Sequence, residues 1–333
     1  MYDSNANLPV VAITMGDPAG IGPEIVLKCL IEGDIATVCS PMIIGDLALL
    51  ERTAGQIDID RADFEQKIVP FSLDLANVPA DVIPGIESAT TGKASAEYIE
   101  KAVELWRDGK ADAIATAPIS KNAIAMAGYL FPGHTEFLAS LTDTKEFAMS
   151  FFADDLRVVL LSTHVSLRNA IDLVKTESLV KLIDFSAKQL SVLLGRSPKL
   201  AVAGVNPHAS EGGMFGDEES REIIPAIEAC RANGINVSGP FSPDTIFLRG
   251  YRGEFDGVIA CYHDQATIAV KSLSFGSSVN VTLGLPLIRT SVDHGTAFDI
   301  AGTGIAEFSS MTAAIKLAAK LAIDVRERYT VPK

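Results

Sequence analysis

Histidine, tryptophan and cysteine are scarce in this 333-residue chain, with five, one and four copies. The cysteines, Cys29, Cys39, Cys230 and Cys261, form no CxxC pair. A disulfide framework or thiolate metal knuckle is therefore not expected, and incidental reduced thiols fit a reducing compartment. No uninterrupted apolar run reaches the ~18 residues of a spanning helix. The N-terminus, MYDSNANLPVVAITMG, lacks a basic region followed by a long apolar one. These absences argue against a signal peptide or membrane segment and point to the cytoplasm. HExxH, GxGxxG and GK[ST] are also missing, which excludes the short-motif zinc protease, the conventional dinucleotide fingerprint and the P-loop. Basic residues are in deficit, 28 Lys and Arg against 42 Asp and Glu, for a net charge of −14. That is the wrong sign for a nucleic-acid backbone binder. A local cluster of Lys, Arg and metal can nevertheless hold a small anion.

Apolar residues make up 48% of the chain and charged residues 21%, enough for a sizeable core. The length fits one large domain or two ordinary ones. Leu8–Met15 reads as a strand, followed by the glycine-rich turn GDPAGIGPE and a helix from about Pro23. Met42–Gly45, Ala111–Ala117, Phe147–Phe152, Leu156–Leu161, Leu200–Val205, Gly257–Tyr262 and Val279–Thr282 read as further strands. Helices are expected at Ala48–Ala54, Lys93–Asp108, after Pro118, at Ile171–Leu193, Glu218–Asn233 and Ser309–Tyr329. Residues 56–91, with Pro70, Pro79, Pro84 and Gly85, read as loops with short strands. Strands alternating with long helices imply a layered α/β fold.

The polar motifs recur just after predicted strands, where ligand groups usually sit in such folds. His164, His208 and His263 follow VVLLST, AVAGVNP and GVIACY. Three neutral imidazoles can hold a divalent ion and leave positions for water or substrate. Zinc suits them best, with manganese, cobalt or magnesium as alternatives; Asp264 and Asp244 are candidates to orient the rings. The other histidines, His134 and His294, lie in FPGHTE and VDHGTA. His134 and Thr135 are placed to reach substrate.

Gly16, Gly20 and Gly22 of GDPAGIGPE open a helix. Free amides there could hold an anion or carbonyl group, or the glycines could serve a tight structural turn. A second loop, DHGTAFDIAGTG at 293–304, contains His294, Gly295, Thr296 and Asp299 and could wrap an adenine or ribose. Lys271, Asn280 and Arg289 lie between the last metal candidate and this loop; Lys and Arg would neutralise a phosphate. Arg168, one helical turn beyond His164, could face the same site.

Taken together, GDPAGIGPE, GHTEFLA, STH, NPHASEGGMFGDEE, SPDT, YHDQ and VNVTLGLPLIRTSVDHGTAFDIAG resemble the 4-hydroxythreonine-4-phosphate dehydrogenase family along essentially the whole chain. The resemblance implies a two-domain α/β fold like that of isocitrate and isopropylmalate dehydrogenases, with the active-site cleft between domains. A discontinuous first domain of residues 1–132 and 305–333 and a second of 133–304, carrying the metal ligands and dimer interface, are expected. It also implies a homodimer with shared active sites, and NAD-dependent oxidation with decarboxylation of a phosphorylated hydroxy acid. His164, His208 and His263 become the implied metal ligands, with His263 contributed across the subunit boundary. His134, Thr135, Lys271, Asn280 and Arg289 become the implied substrate contacts, and 293–304 the cofactor loop. Lys271, His134 and a metal-linked water all remain open as the general base.

Two stretches, GDPAGIGPE and STHVSLRNAI, resemble the branch acting on 4-phospho-D-threonate or 4-phospho-D-erythronate. The alternatives are the 4-hydroxythreonine-4-phosphate enzyme of pyridoxal phosphate biosynthesis, a cyclic-diol carboxylate dehydrogenase, and a noncatalytic metal or anion binder. One departure stands out: Ala266, Thr267, Ile268, Ala269 and Val270 follow HDQ, where the family usually has Gly-His-Ile-Pro before the substrate lysine.

Overall fold

The computed structural model describes residues 8–131, 133–274 and 276–330. The first residues of the segment read for a leader lie outside these. No helix among the described residues is long and apolar enough to cross a membrane. The chain divides into two compact units: residues up to Lys145 with Leu285–Arg326, and Glu146–Gly284 with the residues from Glu327. His134, Thr135, Arg289 and the 293–304 loop accordingly belong to the first unit.

In the first unit, β1 (Val10–Thr14) leads to α1 (Gly22–Glu32), then β2 (Ser40–Gly45), α2 (Leu47–Gln56), α3 (Arg61–Lys67) and β3 (Ser72–Asp74). These are followed by α4 (Ala89–Arg107), β4 (Ala113–Thr116), α5 (Lys121–Met126) and α6 (His134–Leu141). The second unit holds β5 (Ala148–Ala153), β6 (Leu156–Leu160), α7 (Leu167–Asp172), α8 (Thr176–Leu194) and β7 (Leu200–Ala203). It continues with α9 (Ile224–Ala232), β8 (Val237–Phe241), α10 (Ile246–Tyr251), β9 (Gly257–Ala260), α11 (His263–Leu273) and β10 (Val279–Leu283). The first unit then resumes with β11 (Ile288–Ser291) and most of α12 (Ser309–Thr330).

The first unit's strands run β3-β2-β1-β4-β11, and every pair is parallel. β1 and β4 are buried along nearly their whole length, as a sheet covered on both faces requires. Ile25, Ile99, Met311, Ile315 and Ala318 from α1, α4 and α12 close the core. Side-chain caps fix the helix starts: Asp46 accepts from Leu49 N at 2.8 Å, Ser88 and Thr91 form a capping box on α4, and Ser120 caps α5. All the C-terminal strand ends share one edge, and the order reverses between β1 and β4, the position where ligands gather in doubly wound sheets.

The second unit's order is β10-β5-β6-β9-β7-β8. The pairs β10–β5 and β5–β6 are antiparallel; β6, β9, β7 and β8 run parallel. β5 and β6 are joined as a hairpin across residues 153–155. The helix expected over Ile171–Leu193 is instead two, α7 and α8. Sequence reading did not mark α11; its Ala266 and Val270 are buried in this unit's core.

Candidate active site

The histidine pattern acquires a geometric basis in the second unit. β6, β9 and β7 are adjacent and parallel, so His164, His263 and His208 leave the same edge. The ring centroids of His164 and His263 lie 5.7 Å apart. His263 Nδ1 sits 2.8 Å from Asp264 Oδ1, the type of carboxylate contact that fixes an imidazole tautomer. Asp244, the other orienting candidate, instead accepts from Ser242 Oγ at 2.6 Å.

His208 lies apart from that pair. It starts a left-handed excursion in which His208, Ala209, Ser210 and Glu211 have φ of 53°, 54°, 64° and 45°. Each costs about 1–2 kcal/mol in a residue with a Cβ. Glu219 secures the entry: its Oε1 accepts from Val205 N and Asn206 N at 2.8 and 2.7 Å, and its Oε2 from Asn206 Nδ2 at 2.8 Å. The His208 ring neighbours Phe215, 6.5 Å away between centroids. Among the described residues no group of three His, Cys, Asp or Glu is placed to hold a metal ion. The ligand set implied by the resemblance takes His263 from a second subunit, so it is not one expected within a single chain. Backbone strain held by a buried carboxylate is nonetheless typical of functional segments.

Lys271 stands on the exposed face of α11, beyond His263, and Arg168 is exposed on α7. Asn280 sits on β10 with its Oδ1 shielded from solvent and unpartnered. Within the departing stretch, Ala266 and Val270 are fully buried, while Ile268 is 67% exposed. That substitution run thus mainly repacks the inner face of α11.

In the first unit, His134 opens α6. Its Nε2 is closed off from solvent and has no hydrogen-bond partner. Burial, reinforced by Arg289 and Lys121, holds the imidazole well below its ordinary pKa, so it is neutral. Arg289 on β11 is buried and donates to Thr116 Oγ1 at 2.8 Å. Burial lowers its pKa, and Glu136 opposes this; the guanidinium stays charged at neutral pH. Thr135 is buried beside His134. A buried cation next to a neutral imidazole can receive an anionic oxygen and a proton.

The glycine loop differs from the open anion nest considered above. Asp17 N donates to Pro118 O, Gly20 N to Asp17 O and Ile21 N to Thr296 O; Ala19 N donates to Asp17 Oδ1 at 2.9 Å. Those amides are already bonded. Gly16 has φ +77° against the Pro118 carbonyl, and a Cβ at Gly22 would strike the Met15 carbonyl. Gly20 packs against Thr296. Gly20 and Ile21 thus hold the 293–304 loop at Thr296, while Gly16 and Gly22 permit the tight turn after β1. In that loop His294 and Asp299 are exposed, and Gly295 lacks close neighbours.

Sequence reasoning missed Asp17, Glu24 and Lys121. Asp17 is fully buried, its Oδ2 lacks a partner, and burial raises its pKa despite hydrogen bonds that lower it. The signal for Asp17 and Glu24 was their place in GDPAGIGPE; Lys121 offered none.

A parallel sheet in one unit and a mixed sheet with histidines after its strands in the other make this a two-unit α/β protein of the dehydrogenase type. The sequence profile described as "Pyridoxal phosphate biosynthetic protein PdxA" matches residues 37–318. The chain is 42% identical to the D-threonate 4-phosphate dehydrogenase of Pectobacterium atrosepticum, over 94% of this chain and 99% of that one. It is 44% identical to the 4-hydroxythreonine-4-phosphate dehydrogenase of Trichlorobacter lovleyi, over 96% and 99%. Among solved structures, the 4-hydroxythreonine-4-phosphate dehydrogenase of Klebsiella pneumoniae superposes with a TM-score of 0.84, at 42% identity, over 94% and 99%. The chain belongs to the PdxA family of NAD-dependent dehydrogenases.

Proposed function

We propose that the protein oxidises and decarboxylates a phosphorylated four-carbon hydroxy acid, 4-phospho-D-threonate or 4-phospho-D-erythronate, giving dihydroxyacetone phosphate and carbon dioxide. The observation that carries the reading is the buried guanidinium of Arg289, which acts electrostatically on neutral His134 in the first unit and suits an anionic substrate oxygen. Relatives named for D-threonate 4-phosphate and for 4-hydroxythreonine 4-phosphate match this chain about equally. GDPAGIGPE and STHVSLRNAI favour the sugar-acid branch.

NAD, when bound, accepts the hydride. The hydroxyl carbon loses that hydride and the hydroxyl oxygen its proton. The ketone formed lies β to the carboxylate, carbon dioxide leaves, and the carbon that carried it takes up a proton. His134 and Lys271 are the groups proposed for proton transfer; His134, already neutral, can accept one at Nε2. Arg289 is proposed to hold an anionic oxygen, and Thr135, Lys271, Asn280 and Arg168 to contact substrate oxygens. These contacts use remote binding energy to align the reacting carbon.

A divalent ion is part of the proposal, with zinc the first candidate and manganese, cobalt or magnesium as alternatives. His164, His208 and His263 are the proposed ligands, with His263 contributed by a second copy of the chain. A homodimer is proposed on that ground. The cofactor contacts proposed are His294, Gly295, Thr296 and Asp299, with Gly16, Gly20 and Gly22 acting beneath them. The cytoplasm is the proposed location.

The test is a panel of initial rates with purified enzyme, NAD and each metal, over 4-phospho-D-threonate, 4-phospho-D-erythronate and 4-hydroxythreonine 4-phosphate. NADH formation fastest with a sugar-acid phosphate is expected. Preference for the amino substrate would move the protein to the pyridoxal phosphate pathway, and no NADH from any of them would end the reading.

A further inference from the structure

The ion pair between Glu24 and Lys28 is nearly closed off from solvent, with side-chain exposures of 1% and 15% and a separation of 2.8 Å. Both residues are also bonded to the chain just past the proposed cofactor loop. Glu24 accepts from Gly304 N at 3.2 Å and Ala306 N at 2.8 Å. Lys28 donates to Gly304 O at 2.8 Å and Ala306 O at 2.9 Å. One pair on α1 thus grips the backbone donor and acceptor of each of the same two residues. At the loop's other end, Ile21 N donates to Thr296 O at 2.9 Å and Gly20 packs against Thr296. The loop is pinned at both ends by residues of a single motif and the first turns of its helix.

A buried ion pair is a poor device for stability, because desolvation cancels much of its attraction. It is a good device for register, because charge-assisted bonds to amides and carbonyls tolerate little displacement. A loop that must present backbone groups to a ligand gains affinity from such pre-ordering.

We infer that Glu24 and Lys28 are positioning residues for NAD: they clamp Gly304 and Ala306 so that the 293–304 loop meets the cofactor in a fixed conformation. The inference rests on the reading of that loop as the cofactor loop. It gives GDPAGIGPE a role as the loop's foundation.

The test is direct titration of NAD into the full-length protein by calorimetry, for wild type, Glu24→Gln and Lys28→Met. Thermal melts and binding of the phosphorylated substrate serve as controls. Loss of charge-assisted bonds should weaken NAD binding about tenfold in Glu24→Gln, and measurably in Lys28→Met, with substrate affinity retained. Amide exchange at Gly304 and Ala306 should quicken in both variants. Should Glu24→Gln not accumulate as folded protein, Lys28→Met carries the test, since its side chain keeps some contact with solvent. A lowered melting temperature with unchanged NAD affinity marks a purely structural pair and overturns the inference. Failure of the wild type to bind NAD removes the cofactor reading itself, and is seen before any variant is compared.

Discussion

His164 and His263 stand at the ends of neighbouring parallel strands with their ring centroids 5.7 Å apart. Neutral imidazoles so placed are suitable ligands for a divalent cation. If they belong to a metal site, chelator treatment should abolish NADH formation, and one divalent ion, returned alone, should restore it. His164→Ala should lose bound metal by elemental analysis together with nearly all turnover. Full activity after exhaustive chelation, or a variant keeping both metal and rate, would remove the metal from the mechanism.

Asp17 buries a carboxylate with one oxygen lacking a partner. Burial raises its pKa above the ordinary 3.8, so the native state resists its ionised form. The resulting penalty is fully present above the folded pKa and is relieved as pH falls through it. Asp17→Asn keeps an oxygen to accept from Ala19 N and removes the charge. At neutral pH the loss of the buried charge should stabilise the protein by about 1 kcal/mol at most, since the amide nitrogen inherits the unpartnered position. Chemical denaturation of wild type and variant checks this; a less stable variant would show that the charge has a partner. A stabilising change at this loop with a fall in turnover would mark Asp17 as kept for function.

Arg289 is held by Thr116 and shielded from solvent. Arg289→Met should raise KM for a phosphorylated substrate by roughly ten- to a hundredfold, the worth of a charge-assisted hydrogen bond or two. KM for NAD should stay within about twofold. Equal loss for both ligands would point to a collapsed β11 instead of a lost anion contact, and circular dichroism separates the two.

The strands were largely legible from sequence, because short β-branched runs ending in Gly, Pro or His punctuate them. The placement of His164, His208 and His263 after strands was legible too. That the three strands are mutual neighbours was not, since order within a sheet depends on crossovers. The left-handed turn at His208 left little trace, because His, Ala, Ser and Glu do not ordinarily adopt positive φ. It depends on Glu219, a residue that looks like any helix-start carboxylate. In GDPAGIGPE the glycines drew attention as anion ligands, whereas Gly16 and Gly22 answer to carbonyl oxygens from Pro118 and Met15. α11 was hidden because HDQATIAVK turns Gln265, Ala266, Thr267 and Val270 inward, a face with a single large apolar residue.

His134 supplies a pH signature of its own. Burial sets its folded pKa well below the ordinary 6.5, while the unfolded chain has the ordinary value. Above about pH 6.5 the imidazole is neutral in both states and contributes nothing to the pH dependence. As pH falls below that value the unfolded chain takes up a proton that the native state refuses. Stability therefore declines with pH, by at most about 1.4 kcal/mol per unit from this group, until the folded pKa is reached. His134→Asn removes the titration. Urea unfolding of wild type and variant between about pH 7 and pH 5 should give curves whose separation changes steadily across the interval, with the wild type losing more. Parallel curves would mean that the native imidazole titrates normally.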